Sequence, residues 1–442
     1  MTAATRISGE ERAPSLGRSI GPLLLISLAI GIGFCMMQSF SIMAESAKAD
    51  LKLSDYAIGS IQGLGGAIPL VLFSVPIGLI VDRQNRVRLL FVLAVIWTAG
   101  TFVTAASASW PILFLGRMLT GIGTTGALTA TLSLSADLCL PEQRGRGMLM
   151  TTLGKTIGMA AGFAVAGALM GWFADPRMPH WFGDVSAWRS AQWVLGIASA
   201  LFILPLLFLR EPPRREVEAG PNAPFRIVIA ELWQRRSFLT PLFIGQTSVV
   251  MADAAAAIWA SPVLERVYHQ APANFGQWLG AIILFTGIFG AILGGFVADW
   301  GQRSGRRGGL LIGAVAAAAI GTPAALFPVM PGVPGFALLI AVLILAGTVT
   351  GLITSVALTV MLPNELRGLS IGLFIAIAGL IGFGVAPTLV TSVSHMLGGE
   401  QHIAPALAIV GLAVSLCSTA AFWLAMRRAP QAVADEVYSL GA

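Results

Sequence analysis

The sequence predicts an all-α membrane protein with twelve transmembrane helices, arranged as two pseudo-symmetric bundles of six. Three observations predict this fold class: an apolar composition, twelve long apolar stretches, and charged turns that occur twice. Of 442 residues, 56% are hydrophobic and 11% are charged, whereas soluble domains carry roughly 25% charged residues. A soluble fold could not hide so much apolar surface from water, so lipid is the expected solvent of this chain.

The twelve apolar stretches have the length that a bilayer demands. A helix needs ~20 mostly apolar residues to cross ~30 Å of hydrocarbon. The stretches are predicted at about 22–44, 57–81, 89–109, 111–136, 148–173, 192–209, 238–260, 277–298, 309–328, 336–360, 369–392 and 405–426.

The basic residues predict the orientation of these helices. If the amino terminus is cytoplasmic, 20 of the 27 Lys and Arg residues fall on the cytoplasmic side and 5 on the external side. This split follows the positive-inside rule and predicts that both termini are cytoplasmic. The net charge of +6 therefore reflects topology and does not indicate a nucleic-acid partner. Because only 3 basic residues are Lys, which is typical of GC-rich bacterial genomes, the bacterial inner (plasma) membrane is the expected location.

Two charged turns occur twice, about half the chain apart. The stretch GLIVDRQNRVRLL at 78–90 has a counterpart in GGFVADWGQRSGRRGGLL at 294–311. In the same way, LPEQRGRG at 140–147 has a counterpart in LPNELRGLS at 362–370. The two motifs are repeated at nearly the same distance along the chain, which predicts that a unit of six helices is duplicated. Parallel halves of this kind place a substrate site between them.

The repeat divides the chain into three predicted parts. These are an N-terminal six-helix bundle at 1–209, a cytoplasmic linker with an interfacial helix at 210–237, and a C-terminal six-helix bundle at 238–442. The linker is charged and rich in proline at first, and its apolar end is expected to lie in the lipid interface.

The first charged turn resembles the loop motif of the major facilitator superfamily, Gly-x3-Asp-Arg-x-Gly-Arg, with Asn85 at the second glycine. The resemblance extends over nearly the whole chain and implies transport by alternating access. It also implies that charged contacts in these turns hold the cytoplasmic side shut and break when that side opens. The glycines would let neighbouring helices approach. The expected gating residues are Gly78, Asp82, Arg83, Arg86, Asp137, Arg144, Gly295, Asp299, Arg303 and Arg367.

A narrower resemblance is to the Spinster-like branch of these transporters. It rests on MMQSFSIMAESAKADLKLSDYAIG at 36–59, RMLTGIGTTGA at 117–127 and LREPPR at 209–214. That branch usually has Asp-Arg at the positions of Met36 and Met37 and Glu at the position of Thr124. The resemblance implies an amphipathic or lipid-like solute. The loss of both acids favours facilitation over proton coupling.

Three charged residues fall inside predicted membrane helices, where charge is costly and a functional role is the default expectation. Arg117 and Asp253 are predicted about 9 and 11 Å from the external ends of their helices, at ~1.5 Å per residue. We predict an ion pair between them that opens when substrate binds or when Asp253 takes a proton. The alternative is that each reaches water separately. Lys155 either contacts an anionic substrate or reaches the cytoplasmic interface.

Neutral side chains supply the other candidates for contact with a solute. Ser and Thr in membrane helices often bond their own backbone instead. The candidates are Gln38, Thr124, Thr125, Gln246, Trp259, Thr350 and Thr354.

The sequence therefore predicts a secondary active or facilitative transporter for a small anionic, zwitterionic or amphipathic organic solute. A proton-coupled efflux antiporter of the same fold is one alternative. A non-transporting membrane receptor or sensor is another, although a static receptor would not need the repeated turns. We expect no enzymatic activity, metal or cofactor, because no metal-ligand spacing and no nucleophile with a base is visible. A monomer is the expected state.

Overall fold

The computed structural model describes residues 16–140, 143–179, 181–214, 233–360 and 374–429. Within these ranges, twelve helices are long and apolar enough to cross a membrane. In the N-terminal half they are α1 (Leu16–Leu51), α2 (Asp55–Arg83), α3 (Arg86–Ala106), α4 (Trp110–Asp137), α5 (Arg144–Ala174) and α6 (Ala187–Ile203). In the C-terminal half they are α7 (Arg236–Arg266), α8 (Pro272–Arg303), α9 (Ile312–Ala324), α10 (Val333–Val360), α11 (Phe374–Met396) and α12 (Ile403–Arg428).

The helices form two bundles with matching internal contacts. Helices α2 and α3 pack against α4 just as α8 and α9 pack against α10, and α3 packs against α6 as α9 packs against α12. The two bundles meet along α2 with α11 and along α5 with α8, with a smaller contact between α1 and α7. The predicted fold class is therefore confirmed. The boundaries at 1–209 and 238–442 stay a prediction, and the interfacial helix falls mostly at 215–232, outside the described residues.

Because consecutive spans alternate in direction, α1 begins and α12 ends at the same face of the protein. We call this the terminal face and the opposite one the distal face. Helix α1 does not stop at the predicted boundary of residue 44 but continues to Leu51 at the distal face. This extension carries charged residues that the composition of a membrane span would not include.

Polar caps and close-packed glycines explain how the helices begin and pack. Asn85 accepts a hydrogen bond from the backbone N–H of Arg88 at 2.8 Å and so caps α3, which gives a reason for Asn at this motif position.

Helices α1 and α5 cross so closely that a Cβ on Gly162 would lie 2.9 Å from the carbonyl oxygen of Cys35. By contrast, a Cβ on Gly78 would meet nothing within 4 Å. The expectation that Gly78 admits a neighbouring helix is therefore wrong in this conformation.

Candidate functional site

A cavity of about 200 Å³ lies between the two bundles, and we call it the central cavity. Its α7 wall is formed by Asp253, Ala256, Ala257 and Ala260, whose spacing places them on one helix face. Most of the lining is apolar, and the polar side chains are those of Gln38, Asp253 and Thr348. The lining residues within the described part of the chain are Gln38, Met159, Phe163, Asp253, Ala256, Ala257, Ala260, Leu279, Ile283, Ile340, Ile344 and Thr348.

A larger cavity, of about 500 Å³, lies within the N-terminal bundle between α1 and α5. Its walls are apolar apart from Ser27 and Cys35. On α5 it is lined by residues such as Ile157 and Ala161, which lie on the opposite helix face from Met159. The described linings of this space and of the central cavity share no residue.

Ion pairs close the distal face between the two bundles. Arg266 of α7 contacts Glu45 of α1 at 2.5 Å and Asp55 of α2 at 2.7 Å. Lys48 of α1 pairs with Asp55 at 2.6 Å and with Glu400, just before α12, at 2.5 Å. Glu400 also accepts a hydrogen bond from the backbone N–H of Asp55 at 2.8 Å. We call these five residues the distal ion network; Asp55, at its centre, is 1% exposed.

Aromatic residues seal the same face beside the distal ion network. The hydroxyl of Tyr56 on α2 is 2.8 Å from Ser392 Oγ on α11, and its ring stacks on His395. Trp259 is fully buried and donates from Nε1 to the carbonyl oxygen of Pro387 at 3.2 Å. A Cβ on Gly59 of α2 would lie 3.2 Å from this indole. Trp259 was predicted as a cavity aromatic; it instead fills the junction of α2, α7 and α11.

Close contacts between the bundles extend from the distal face to about the middle of the helices. Helices α5 and α8 approach so closely that a Cβ on Gly167 would lie 3.0 Å from the Cα of Gly276. Further from the distal face, a Cβ on Gly287 would lie 2.7 Å from the methyl group of Thr156. On the other side, a Cβ on Gly379 of α11 would lie 3.3 Å from Leu70 Cγ of α2.

The charged turn at the terminal face is organised by Arg86, which is 2% exposed. Arg86 pairs with Asp137 at the end of α4, and its Nε lies 2.7 Å from Glu211 after α6. It also donates to Ser133 Oγ and to the carbonyl oxygen of Pro212, both at 3.1 Å. All of these partners precede the C-terminal bundle. The contacts of Arg86 therefore stabilise the N-terminal bundle and do not join the two bundles.

In this conformation the described residues of the charged turns do not join the bundles at the terminal face, and their role in holding that face shut stays a prediction. Among the described residues, Arg83, Asp299 and Arg303 are exposed and form no ion pair across the bundles. A Cβ on Gly295 would lie 3.9 Å from its nearest neighbour. The side chains of Asp82 and Arg144, and the whole of Arg367, lie outside the described part of the chain. The ion pairs that join the bundles within the described ranges lie at the distal face.

Arg117 and Asp253 do not form the predicted ion pair. The Arg117 guanidinium turns toward α1 of its own bundle, where it donates to the carbonyl oxygens of Met36 and Met37 at 3.3 and 2.5 Å. It also lies 5.0 Å from the centre of the Phe40 ring. Backbone carbonyls and a ring face thus hold this cation on α1, although Arg117 Nε has no hydrogen-bond partner, and Asp253 Oδ1 is likewise buried without one.

The other predicted contacts divide between the central cavity and helix packing. Gln38 lines the central cavity. Lys155 Nζ lies 5.1 Å from the centre of the Phe34 ring, outside the central-cavity lining. The remaining side chains hold helices: Thr124 donates to Gly33 O, Thr125 to Gly121 O, Thr350 to Gly347 O, and Thr354 to Gln246 Oε1.

Sequence reasoning missed the distal ion network and Thr348. The charges of Glu45, Lys48, Asp55, Arg266 and Glu400 fall at the ends of apolar stretches. Lys48 and Arg266 enter the prediction only through the count of basic residues on each side, and the three acids have no predicted role. A signal was available, since a row of charges following α1 at helical spacing indicates that the helix continues past the bilayer.

Comparisons with known proteins show which family and which relatives this chain resembles. The family model described as Major Facilitator Superfamily matches residues 25–387. The glucose transporter GlcP of Staphylococcus epidermidis is 27% identical over 173 residues, which is 38% of this chain and 33% of that protein. Protein spinster homolog 1 of Xenopus tropicalis is 25% identical over 291 residues, or 61% of this chain and 52% of that protein. The chain thus covers a third to about half of the length of these two relatives.

A solved structure shares the fold over nearly the whole chain. It is the crystal structure of a bacterial homologue of the human lysosomal transporter Spinster, in an inward-facing and unoccupied conformation. The two structures superpose with a TM-score of 0.78 at 20% identity, covering 94% of this chain and 98% of the other.

Proposed function

Because the chain belongs to the Major Facilitator Superfamily, we propose that it moves a small organic solute across the membrane by alternating access, as a secondary active or facilitative transporter. The observation that carries the proposal is the central cavity between the bundles, which is closed at the distal face by the distal ion network. A solute in that cavity would exchange with one side of the membrane at a time.

The lining of the central cavity supports an amphipathic or zwitterionic solute more than a simple anion. Apolar side chains such as Phe163 and Ile340 cover most of the wall and suit an apolar body. Gln38 and Thr348 offer hydrogen bonds, and Asp253 is the charged residue among the described lining residues. A carboxylate at this position would repel a bare anion and attract an amine or another polar hydrogen-bond donor.

The excess of Lys and Arg at the terminal face supports a cytoplasmic location for that face and for both termini. The preferred membrane is then the inner membrane of a bacterium. In the present conformation the distal face, which is the external one, is shut. Rocking of the bundles about the contacts of α2 with α11 and of α5 with α8 would separate the partners of the distal ion network. The solute would then reach the outside.

The secondary active and facilitative forms of the proposal differ in the role of Asp253. In the secondary active form, Asp253 takes up and releases a coupling ion, a proton being the simplest, as the cavity changes sides. In the facilitative form, Asp253 only contacts the solute. Its position supports a coupling role, because the carboxylate lies in the membrane span with no ion-pair partner among the described residues. The protein is proposed to work as a monomer.

We expect Asp253→Asn to lower accumulation of solute against a gradient much more than it lowers exchange of solute across the membrane. The amide keeps the shape of the side chain but cannot exchange a proton. Accumulation should fall about 5- to 150-fold, which is the factor that corresponds to typical coupling free energies. The measurement is uptake of a panel of amphipathic, zwitterionic and anionic solutes into proteoliposomes, with and without an imposed pH gradient.

The control is Asp299→Asn, which removes an exposed carboxylate from α8 of the same bundle and should leave uptake unchanged. Full gradient-driven accumulation by Asp253→Asn would exclude Asp253 as the coupling residue. Saturable uptake that ignores the gradient would support facilitation. The absence of saturable uptake for every class of solute in the panel would favour a non-transporting receptor.

A further inference from the structure

A second, much smaller cavity touches Asp253 from inside the C-terminal bundle. It has a volume of about 20 Å³ and lies between α7, α9, α10 and α12. Space of roughly 10–15 Å³ is enough for one water molecule, so this cavity accepts a particle of about that size. Its polar walls are Asp253 on α7, Thr350 on α10, and Ser415 and Ser418 on α12. We call it the bundle cavity.

Two oxygen atoms of the bundle-cavity residues lack partners. Asp253 Oδ1 and Ser418 Oγ are buried, and neither has a hydrogen bond. Ser418 is 1% exposed, and Ser415 is 6% exposed. Asp253 as a residue is partly exposed only because it also borders the central cavity. A buried oxygen without a partner destabilises the fold, and more so when it is charged. Two such atoms around one small space favour an occupant that satisfies both.

We propose that the bundle cavity binds a sodium ion, held by the Asp253 carboxylate and the hydroxyl oxygens of Ser418, Ser415 and Thr350. Hard cations prefer carboxylate, hydroxyl and carbonyl oxygens, and these are the polar groups that the cavity offers. A proton on Asp253 would neutralise the carboxylate but would leave the cavity without an occupant to contact the hydroxyls of Ser415 and Thr350 as well. A cation among these groups does both, and no Lys or Arg competes for Asp253 among the described residues.

The position of Asp253 links this site to transport, and that part of the inference rests on the proposed function. Asp253 borders both the bundle cavity and the central cavity. A cation on one side of the carboxylate changes the charge that a solute meets on the other side. Solute and cation must therefore change each other's affinity by the same factor.

Sodium binding can be measured on the purified full-length protein without transport. The experiment follows thermal unfolding in detergent at fixed pH and ionic strength while NaCl replaces choline chloride. A ligand that binds only the folded state raises Tm in a concentration-dependent way. We expect Tm to rise with Na⁺, and to rise much less when KCl replaces choline, because the cavity is small.

Three variants locate the effect. Asp253→Asn should remove the Na⁺-dependent shift. Ser418→Ala should raise the Na⁺ concentration at half-maximal shift at least about tenfold, since even indirect partners of a bound metal are typically worth 10- to 100-fold in affinity. Ser355→Ala is the control, because Ser355 is exposed on α10 and bonds the carbonyl oxygen of Gly351; its response should match the unmodified protein.

The site would be overturned by a Tm that is equal in Na⁺ and choline, by an equal response to K⁺, or by an undiminished Na⁺ response in Asp253→Asn. A Tm that follows pH but ignores Na⁺ would assign the cavity to a proton instead. These outcomes are separate from the uptake test: a Na⁺-dependent Tm with no saturable uptake would contradict the proposed transport and leave the cation site standing.

Discussion

Replacing Arg266 by Gln is expected to shift the protein toward a conformation in which the distal face is open. Arg266 is the cation that joins Glu45 of α1 and Asp55 of α2 to α7. Without it, the carboxylates of Glu45, Asp55 and Glu400 face Lys48 alone. Removing one partner of a buried ion pair costs about 3–5 kcal/mol. Because the Arg266 side chain is 20% exposed, we take the lower end, which corresponds to roughly a hundredfold change in the equilibrium.

The shift toward the open distal face can be measured by the labelling rate of a cysteine in the central cavity. Gln38 lines that cavity, so a cysteine at this position, in a background lacking Cys35, Cys139 and Cys417, reports access from the distal side. Arg266→Gln should greatly accelerate labelling of this cysteine by a membrane-impermeant thiol reagent added to the distal side.

The matched control for Arg266 is Arg189→Gln. Arg189 also forms an ion pair at the distal face, with Asp50 at 2.9 Å, but both residues belong to the N-terminal bundle. Its loss should leave the labelling rate unchanged, although it removes bonds to the carbonyl oxygens of Ala105 and Ser107. Unchanged labelling in Arg266→Gln, or equal acceleration in both variants, would count against a gate built on the distal ion network.

Arg86→Gln is expected to cause the largest loss of stability at the terminal face. The change leaves the carboxylates of Asp137 and Glu211 without their cation, in a place where Arg86 is 2% exposed. It also removes bonds to Ser133 and to the carbonyl oxygen of Pro212. The free energy of unfolding should fall by about 3–5 kcal/mol, measured by thermal and denaturant unfolding of the purified protein.

The charged turn supplies its own control in Arg88→Gln. Arg88 lies two residues further along the same helix and is exposed. Surface substitutions of this kind usually change stability by less than about 0.5 kcal/mol. If both variants lost the same stability, the turn would act through its overall charge, and the buried contacts of Arg86 would not be its main contribution.

The helices could be predicted from the sequence because the bilayer imposes their length and composition. All twelve predicted stretches correspond to a membrane helix in the described residues. The repeated turns revealed the two bundles, because two motifs with a common offset require a duplicated unit.

The partners of individual side chains could not be predicted in the same way. Similar depth suggested that Arg117 would meet Asp253, but depth does not fix the direction in which a long side chain turns. The Arg117 guanidinium instead contacts backbone carbonyl oxygens and the Phe40 ring, all of which belong to α1. The distal ion network was missed because it depends on the continuation of α1 to Leu51 and on the meeting of chain segments far apart in sequence.

The most direct test of alternating access is a reversible cross-link across the distal face. Tyr56 on α2 and Ser392 on α11 face each other at 2.8 Å between their oxygens, so cysteines at both positions can be joined by a short, cleavable bifunctional thiol reagent. The control pair is Tyr268 and Met330, which are in contact at the same face but within the C-terminal bundle. We expect uptake into proteoliposomes to stop when Tyr56→Cys and Ser392→Cys are joined, to return on cleavage, and to continue when the control pair is joined. Undiminished uptake with the two bundles tied together at the distal face would contradict the account.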